Sequence, residues 1–232
     1  MTPNASDSHP PGREYFLSEA PVHQLPPGML PAEGLPVRIP VVVSIRHAHF
    51  TAAMIERLFC DRYRLHPSGV ALPGQQFATL ETVDLIGPQG RLRKVQVIGP
   101  PRAMNQIEIS QVDALILGIR APVRESGDLI GTPGITVQGP RSQTALGEGV
   151  ICALRHVHMS PEQARYLGFK DRDRVEVATQ GCNRRMCFED VLVRVGPRFS
   201  LELHLDTDEA NAAGVSTGDF ALLTRRICEA PR

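Results

Sequence analysis

Four of the eight histidines lie in two copies of one short pattern. The stretch SIRHAHFT contains His47 and His49, and the stretch ALRHVHMS contains His156 and His158. In a strand, residues at positions i and i+2 point to the same face, so each pair would present two imidazoles side by side. Neutral imidazole is a preferred zinc ligand, and a third ligand completes a site that keeps one coordination position open. The spacing therefore predicts two metal-binding His-x-His pairs.

A third ligand-type residue follows each pair on a later run. In QIEIS, Glu108 alternates with isoleucines, and in LELHLD, His204 alternates with leucines, so both side chains should point away from the apolar face. A single His-x-His pair is also compatible with ordinary surface histidines, but two copies with equivalent third residues favour metal sites. We predict two three-ligand groups: His47, His49 and Glu108 in the first, and His156, His158 and His204 in the second.

Arginines accompany both groups. Arg46 and Arg155 directly precede the His-x-His pairs and, by strand alternation, should point to the opposite face and support the strand. Arg102 follows IGPP at a strand-to-turn junction beside the strand of Glu108. Its guanidinium offers rigid bidentate donors that suit a phosphate. We therefore predict that Arg102 binds phosphate and is catalytic; the alternative is an ion pair with a local carboxylate.

The histidine pairs belong to a longer internal repeat. VIGPPRAMNQIEISQVDA in the first half resembles VRVGPRFSLELHLDTDEA in the second. When Arg102 is aligned with Arg198, Glu108 falls opposite His204. Each half therefore supplies a His-x-His pair and one later ligand, and a duplicated unit is the simplest interpretation.

The elements that must position these residues are mainly strands. From about residue 37 onward, short alternating runs such as RKVQVIG, RVEVAT and EDVLVRVG are separated by glycine and proline, which favours a barrel or sandwich with a few short helices. Ser160, followed by proline and by Gln163, predicts a capping box that opens a helix over PEQARYLG. TAAMIERLF and DEANAAG are further helix candidates.

Composition limits the classes of function. The net charge is zero and the pI is about 7.1, which gives no sign of binding to nucleic acid or to a membrane surface. No apolar run approaches the about 18–20 residues of a membrane span, and the N-terminus lacks the features of a secretory signal. The five cysteines form no CxxC pair, which favours a reducing compartment. These features predict a globular cytoplasmic protein.

Residues 1–36 form a proline-rich extension. Nine of the twenty prolines fall within the first 40 residues, and proline is excluded from helix interiors and from inner strands. The stretch REYFLSEA, residues 13–20, is the helix candidate in this segment.

Several blocks together resemble a known family. VSIRHAHFT, DLIGPQGRLRKVQVIGPPR, PVRESGD, GTPGITVQGP, RHVHMSPEQARYLGF and LELHLDTDEANAA are similar to the PduL-type phosphate propanoyltransferases, which are phosphotransacylases associated with bacterial microcompartments. The similarity runs from about residue 37 to residue 224. It implies a mainly β fold with two β-barrel domains and strand exchange between the halves: residues 37–46 plus 155–224 in one barrel, 47–154 in the other, and a tail at 225–232.

The resemblance also implies cofactors and partners. Two zinc ions per chain would be held by His47, His49, Glu108, His156, His158 and His204, and Arg102 would bind phosphate. The N-terminal extension would be an encapsulation peptide that binds shell proteins and places the enzyme in the lumen of a bacterial microcompartment. The chain is expected to form a homo-oligomer, specifically a dimer.

The predicted activity is a phosphate acyltransferase that interconverts acyl-CoA (propanoyl-CoA or acetyl-CoA) plus phosphate with acyl phosphate plus CoA. Ser44, beside the first histidine pair, is a candidate CoA contact. Two alternatives remain open at this point. Three-ligand zinc sites equally suit a dinuclear zinc thioester hydrolase, and the same histidines could be structural in a non-enzymatic β-barrel binding module.

Overall fold

A computed structural model describes residues 36–180 and 184–227. The predicted N-terminal extension, with its helix candidate at 13–20 and its encapsulation peptide, lies outside the described residues except for Pro36. Residues 181–183 and 228–232 also lie outside them, and Cys182 and Cys228 are among these. Cys60 is an exposed free thiol and Cys152 is a buried one.

Within the described ranges the chain forms fifteen strands and four short α-helices. The strands are β1 (Val37–Ser44), β2 (His47–His49), β3 (Pro67–Leu72), β4 (Gln76–Ile86), β5 (Arg91–Gly99), β6 (Gln106–Glu108), β7 (Val123–Arg124), β8 (Ile135–Gln138), β9 (Gln143–Leu146), β10 (Val150–Ala153), β11 (His156–Met159), β12 (Arg174–Thr179), β13 (Cys187–Val195), β14 (Glu202–Asp206) and β15 (Phe220–Ile227). The helices are α1 (Ala52–Leu58), α2 (Gln111–Leu117), α3 (Pro161–Leu167) and α4 (Thr207–Ala213), and a 3-10 turn covers Pro73–Gln75.

The strands form two sheets. A closed barrel has the order β1-β14-β11-β13-β12-β15. The second sheet has nine strands in the order β7-β10-β6-β2-β5-β4-β8-β9, with β3 paired to β4, and forms a half-barrel. The predicted fold class, mainly β with two barrel-like units and short helices, is confirmed. None of the helices in the described part of the chain is long and apolar enough to cross a membrane.

The halves exchange their first strand, as predicted. β1 lies parallel to β14, with Val41 opposite Leu203, and antiparallel to β15, with Val37 opposite Leu223. The chain leaves the barrel after Ser44, builds the half-barrel, and returns to the barrel at β11. Both His-x-His pairs therefore lie directly after a crossover. The domain limits at 37–46 plus 155–224 and at 47–154 agree with this pairing and remain a proposal; β15 runs three residues into the predicted tail at 225–232.

Each sheet encloses its own hydrophobic core. Ile39, Val157 and Leu203 belong to the barrel core, and Phe50 and Ile107 belong to the half-barrel core; each of these side chains is fully or almost fully buried. Burial of one such side chain contributes on the order of 1.5–3 kcal/mol. The apolar residues that alternate with the histidines and with the third ligands thus hold those strands in register.

Helix caps fix the turns that follow the histidine strands. Ser160 and Gln163 form the predicted capping box of α3, and the Thr51 hydroxyl accepts a hydrogen bond from the Met54 amide at the start of α1. α4 also forms where it was predicted. Helix α2 was missed, although Ser110 and Asp113 carried the same capping-box signal that predicted α3.

Candidate active site

The first ligand group is assembled by one antiparallel strand pair. β2 runs against β6, and the register places His47 opposite Glu108 and His49 opposite Gln106. One ligand atom from each of His47, His49 and Glu108 lies within 4.8 Å of the others. The sequence predicted all three residues of this group, and the strand register brings the carboxylate of Glu108 to the two histidines.

The second group has the same construction. β11 runs against β14, with His156 opposite His204 and His158 opposite Glu202. The ligand atoms of the three histidines again lie within 4.8 Å of one another. The rings of His156 and His204 are stacked with their centroids 4.7 Å apart. The two predicted groups are therefore both present as clusters.

Backbone carbonyls orient the first histidine of each pair. Nδ1 of His47 lies 2.7 Å from the carbonyl oxygen of Ile45, and Nδ1 of His156 lies 2.9 Å from that of Leu154. A carbonyl oxygen can only accept, so each Nδ1 carries a hydrogen and each Nε2 keeps a lone pair. This second contact of the ring is the arrangement typical of metal-ligating histidine.

The second histidine of each pair has unsatisfied ring nitrogens. Nδ1 of His49, and both ring nitrogens of His158, are buried without a hydrogen-bond partner. Burial lowers the pKa of His49 to about 2 and the pKa of His158 to about 4, because it removes water from the charged form. Neutral, buried nitrogens without partners cost about 1–3 kcal/mol each unless a ligand satisfies them. The residues therefore fit a bound cation, and each group could hold one metal ion.

Both groups open into one cavity of about 1190 Å³ between the two sheets. Ser44, Arg102, Arg194 and Phe199 also line it. The ring of Phe199 stacks on His158 with 3.9 Å between centroids. A shared cavity means that one substrate could contact both metal groups and the cationic side chains at once.

Arg102 is fixed beside the first group. Its backbone amide donates to the carbonyl of Phe50 at 2.9 Å, and its guanidinium Nη2 donates to Oε1 of Gln76 at 2.7 Å. Burial lowers the pKa of Arg102, and the nearby Glu108 carboxylate partly offsets this. The Gln76 contact is to a neutral amide, so the guanidinium keeps its charge available to an anion in the cavity.

Arg46 and Arg155 each form a salt bridge with a carboxylate on a helix, which agrees with the predicted role of supporting the strands. Arg46 pairs with Asp113 of α2 at 2.9 Å, and Arg155 pairs with Glu209 of α4 at 2.8 Å. Each salt bridge ties the start of a histidine strand to a helix that follows a third ligand. The equivalence of the two salt bridges is a further product of the internal repeat.

Two polar residues of the site were not predicted from the sequence. Gln106 contacts Glu108, and Glu202 contacts His204. Each lies two residues before the third ligand of its group, and therefore on the same face of the strand. A polar residue two positions before each third ligand was the signal in the sequence that could have identified them.

Comparisons with known proteins show the family to which this chain is related. The family model described as "Phosphate propanoyltransferase" matches residues 40–216. The phosphate propanoyltransferase of Thermotoga maritima is 48% identical over 183 residues, which cover 79% of this chain and 87% of that protein. Those of Klebsiella pneumoniae and Citrobacter rodentium are each 49% identical, over 76% and 80% of this chain and 83% and 88% of the relatives. The chain therefore belongs to the phosphate propanoyltransferase family, a family of acyltransferase enzymes.

Proposed function

We propose that this chain is a phosphate acyltransferase that interconverts acyl-CoA plus phosphate with acyl phosphate plus CoA at a dinuclear zinc site. One observation carries the proposal: two three-residue ligand groups and a fixed arginine line a single cavity. The names of the relatives support transfer of an acyl group to phosphate. Propanoyl-CoA and acetyl-CoA are the proposed acyl donors.

His47, His49 and Glu108 would hold one zinc ion, and His156, His158 and His204 the other. Nitrogen and carboxylate donors suit zinc, and three protein ligands leave a position open to substrate. When bound, zinc supplies a Lewis acid that polarises a carbonyl and stabilises developing negative charge, which is worth several kcal/mol. The six residues then act as ligands, and the reaction needs neither a general base among them nor a covalent acyl-enzyme.

Arg102 is proposed to bind the phosphate. Its guanidinium can donate two parallel hydrogen bonds to phosphate oxygens, and the Gln76 contact restricts its rotamer. A phosphate oxygen held there forms the bond to the thioester carbonyl carbon while the carbon–sulfur bond breaks and CoA leaves as a thiolate. Holding both reactants in one cavity contributes the proximity that the bimolecular reaction lacks in water.

The shape of the site also favours phosphate over water as the acceptor. Hydrolysis of the thioester or of the acyl phosphate would waste the product, so the reacting groups must be screened from solvent. A cavity between two sheets, with Phe199 stacked against His158, supplies apolar walls close to the ligands. Ser44 lines the same cavity and is proposed as a CoA contact. A homodimer in a microcompartment lumen, with shell proteins bound by the N-terminal extension, remains a proposal from the family resemblance.

The test is the release of CoA thiol from propanoyl-CoA, followed with and without phosphate, before and after chelation. We expect release that requires phosphate, is lost on chelation and is restored by zinc. Release that ignores phosphate would identify a thioester hydrolase and remove the role of Arg102. Release that survives complete metal removal, verified by elemental analysis, would contradict the zinc sites.

A further inference from the structure

The residues that support the third ligands differ between the two groups in a complementary way. Gln106 and Glu202 occupy equivalent places: Gln106 lies opposite His49 across β2 and β6, and Glu202 lies opposite His158 across β11 and β14. Each side chain points to the same strand face as the third ligand two residues later. In one group an amide supports a carboxylate, and in the other a carboxylate supports an imidazole.

Gln106 is fully committed to holding Glu108. The side chain is 2% exposed. Its Nε2 donates to Oε1 of Glu108 at 2.5 Å and to the Ser126 hydroxyl at 2.7 Å, and its Oε1 accepts from the Gly127 amide at 2.8 Å. The amide is therefore fixed by a loop and cannot flip. Oε1 of Glu108 is occupied by this bond, and Oε2 is left to face Nε2 of His47 at 3.5 Å.

Glu202 does the corresponding work for the histidines of the second group. Its Oε1 accepts from Nε2 of His204 at 3.1 Å and lies 3.7 Å from Nδ1 of His158. A carboxylate only accepts, so Nε2 of His204 carries the hydrogen and its Nδ1 keeps the lone pair. Glu202 thus selects the tautomer of His204 and lies close to the ring of His158.

We propose that Gln106 and Glu202 are positioning residues, each matched to the chemistry of its own third ligand. A carboxylate ligand requires a donor beside it, and an imidazole ligand requires an acceptor. This inference rests on the proposed metal sites. Partners of this kind that lie outside the ligand set typically alter metal affinity about 10–100-fold when they are removed. Replacing only one member of a matched pair should lower the zinc affinity of that group. Replacing both members together should restore it.

The experiment measures zinc affinity rather than turnover, by competition with a chromophoric chelator. To isolate the second group, all variants carry His49→Ala, which weakens the first. In this background we expect Glu202→Gln to lower zinc affinity about 10-fold or more. His204→Glu alone should also bind weakly, because two carboxylates then face each other. Adding Glu202→Gln to His204→Glu should raise the affinity again, since it recreates the pairing of Gln106 with Glu108.

The decisive result is that Glu202→Gln lowers zinc affinity when His204 is present and raises it beside His204→Glu. A residue with a purely structural role would lower the affinity in both cases. Glu162→Gln is the matched control, because it removes an exposed carboxylate from α3, the helix that follows β11. It should leave zinc affinity unchanged. If Glu202→Gln leaves affinity unchanged, or lowers it beside His204→Glu as well, the inference is overturned. If the unaltered protein binds no zinc, the proposed metal function itself fails, so the two failures are distinguishable.

Discussion

The half-barrel group and the barrel group share one backbone plan but distribute their charges differently. In both, a His-x-His strand runs antiparallel to the strand of the third ligand, with the first histidine directly opposite that ligand. The half-barrel group places a carboxylate, Glu108, among the ligands and a neutral amide, Gln106, behind it. The barrel group places three imidazoles among the ligands and a carboxylate, Glu202, behind them.

This difference shows what the duplication preserved. The strand register is the same in both groups, because it fixes where the ligand atoms can lie. The chemical identity of the third ligand could change once its neighbour changed with it. A dication bound by three neutral imidazoles keeps a higher local charge than one bound beside Glu108, so we expect the two ions to make unequal contributions to catalysis.

Removal of one ligand from each group gives the largest expected effects. His47→Ala and His156→Ala should each reduce the zinc content from two ions to one per chain. Loss of a Lewis acid worth several kcal/mol should lower kcat/KM for propanoyl-CoA by more than about 100-fold. Elemental analysis and thiol-release kinetics measure the two effects. If either variant retains full activity with one ion, that group is structural and the comparison reduces to a single catalytic centre.

The arginines at equivalent repeat positions provide the next test. Arg102 is partly buried and donates to Gln76, whereas Arg198 is exposed and donates to Gln75. Arg102→Ala removes charge-assisted hydrogen bonds worth about 1.5–3 kcal/mol each and should lower kcat/KM for phosphate by about 10–100-fold. Arg198→Ala is the matched control and should change it by less than about 3-fold, within the range of an exposed charge. Equal losses in both variants would mean that Arg102 and Arg198, which both line the cavity, recognise phosphate together.

The caps of the helices that follow the histidine strands give the smallest effects. Ser160 of the barrel makes a reciprocal capping box with Gln163, while Thr51 of the half-barrel makes a one-way cap. Loss of a cap costs about 0.5–2 kcal/mol, and we expect Ser160→Ala to lower the free energy of unfolding more than Thr51→Ala does. Chemical denaturation with zinc present measures both. The opposite order would show that packing of α1, rather than its cap, controls that turn.

Local signals in the sequence were enough to predict the two clusters of ligand-type residues that the structure brings together. The i, i+2 spacing of the histidines, and the alternation around Glu108 and His204, follow from the two-residue period of a strand. The capping boxes likewise depend on contacts within four residues. The strand exchange was expected from the resemblance to a family. No local pattern indicates that β1 pairs with β14, because paired residues such as Val41 and Leu203 are 162 positions apart.

The sequence by itself thus determined which residues could bind metal, where the histidine-following helices begin, and that the chain is mainly β and duplicated. The tertiary structure decided which partners those residues meet: Gln106 against Glu108, Glu202 against His204, Arg46 against Asp113, and both groups around one cavity. Strand register and the meeting of two sheets depend on the simultaneous packing of cores from distant segments. The free energy that favours this register and this contact between sheets comes from many apolar contacts, so no single sequence motif predicts it.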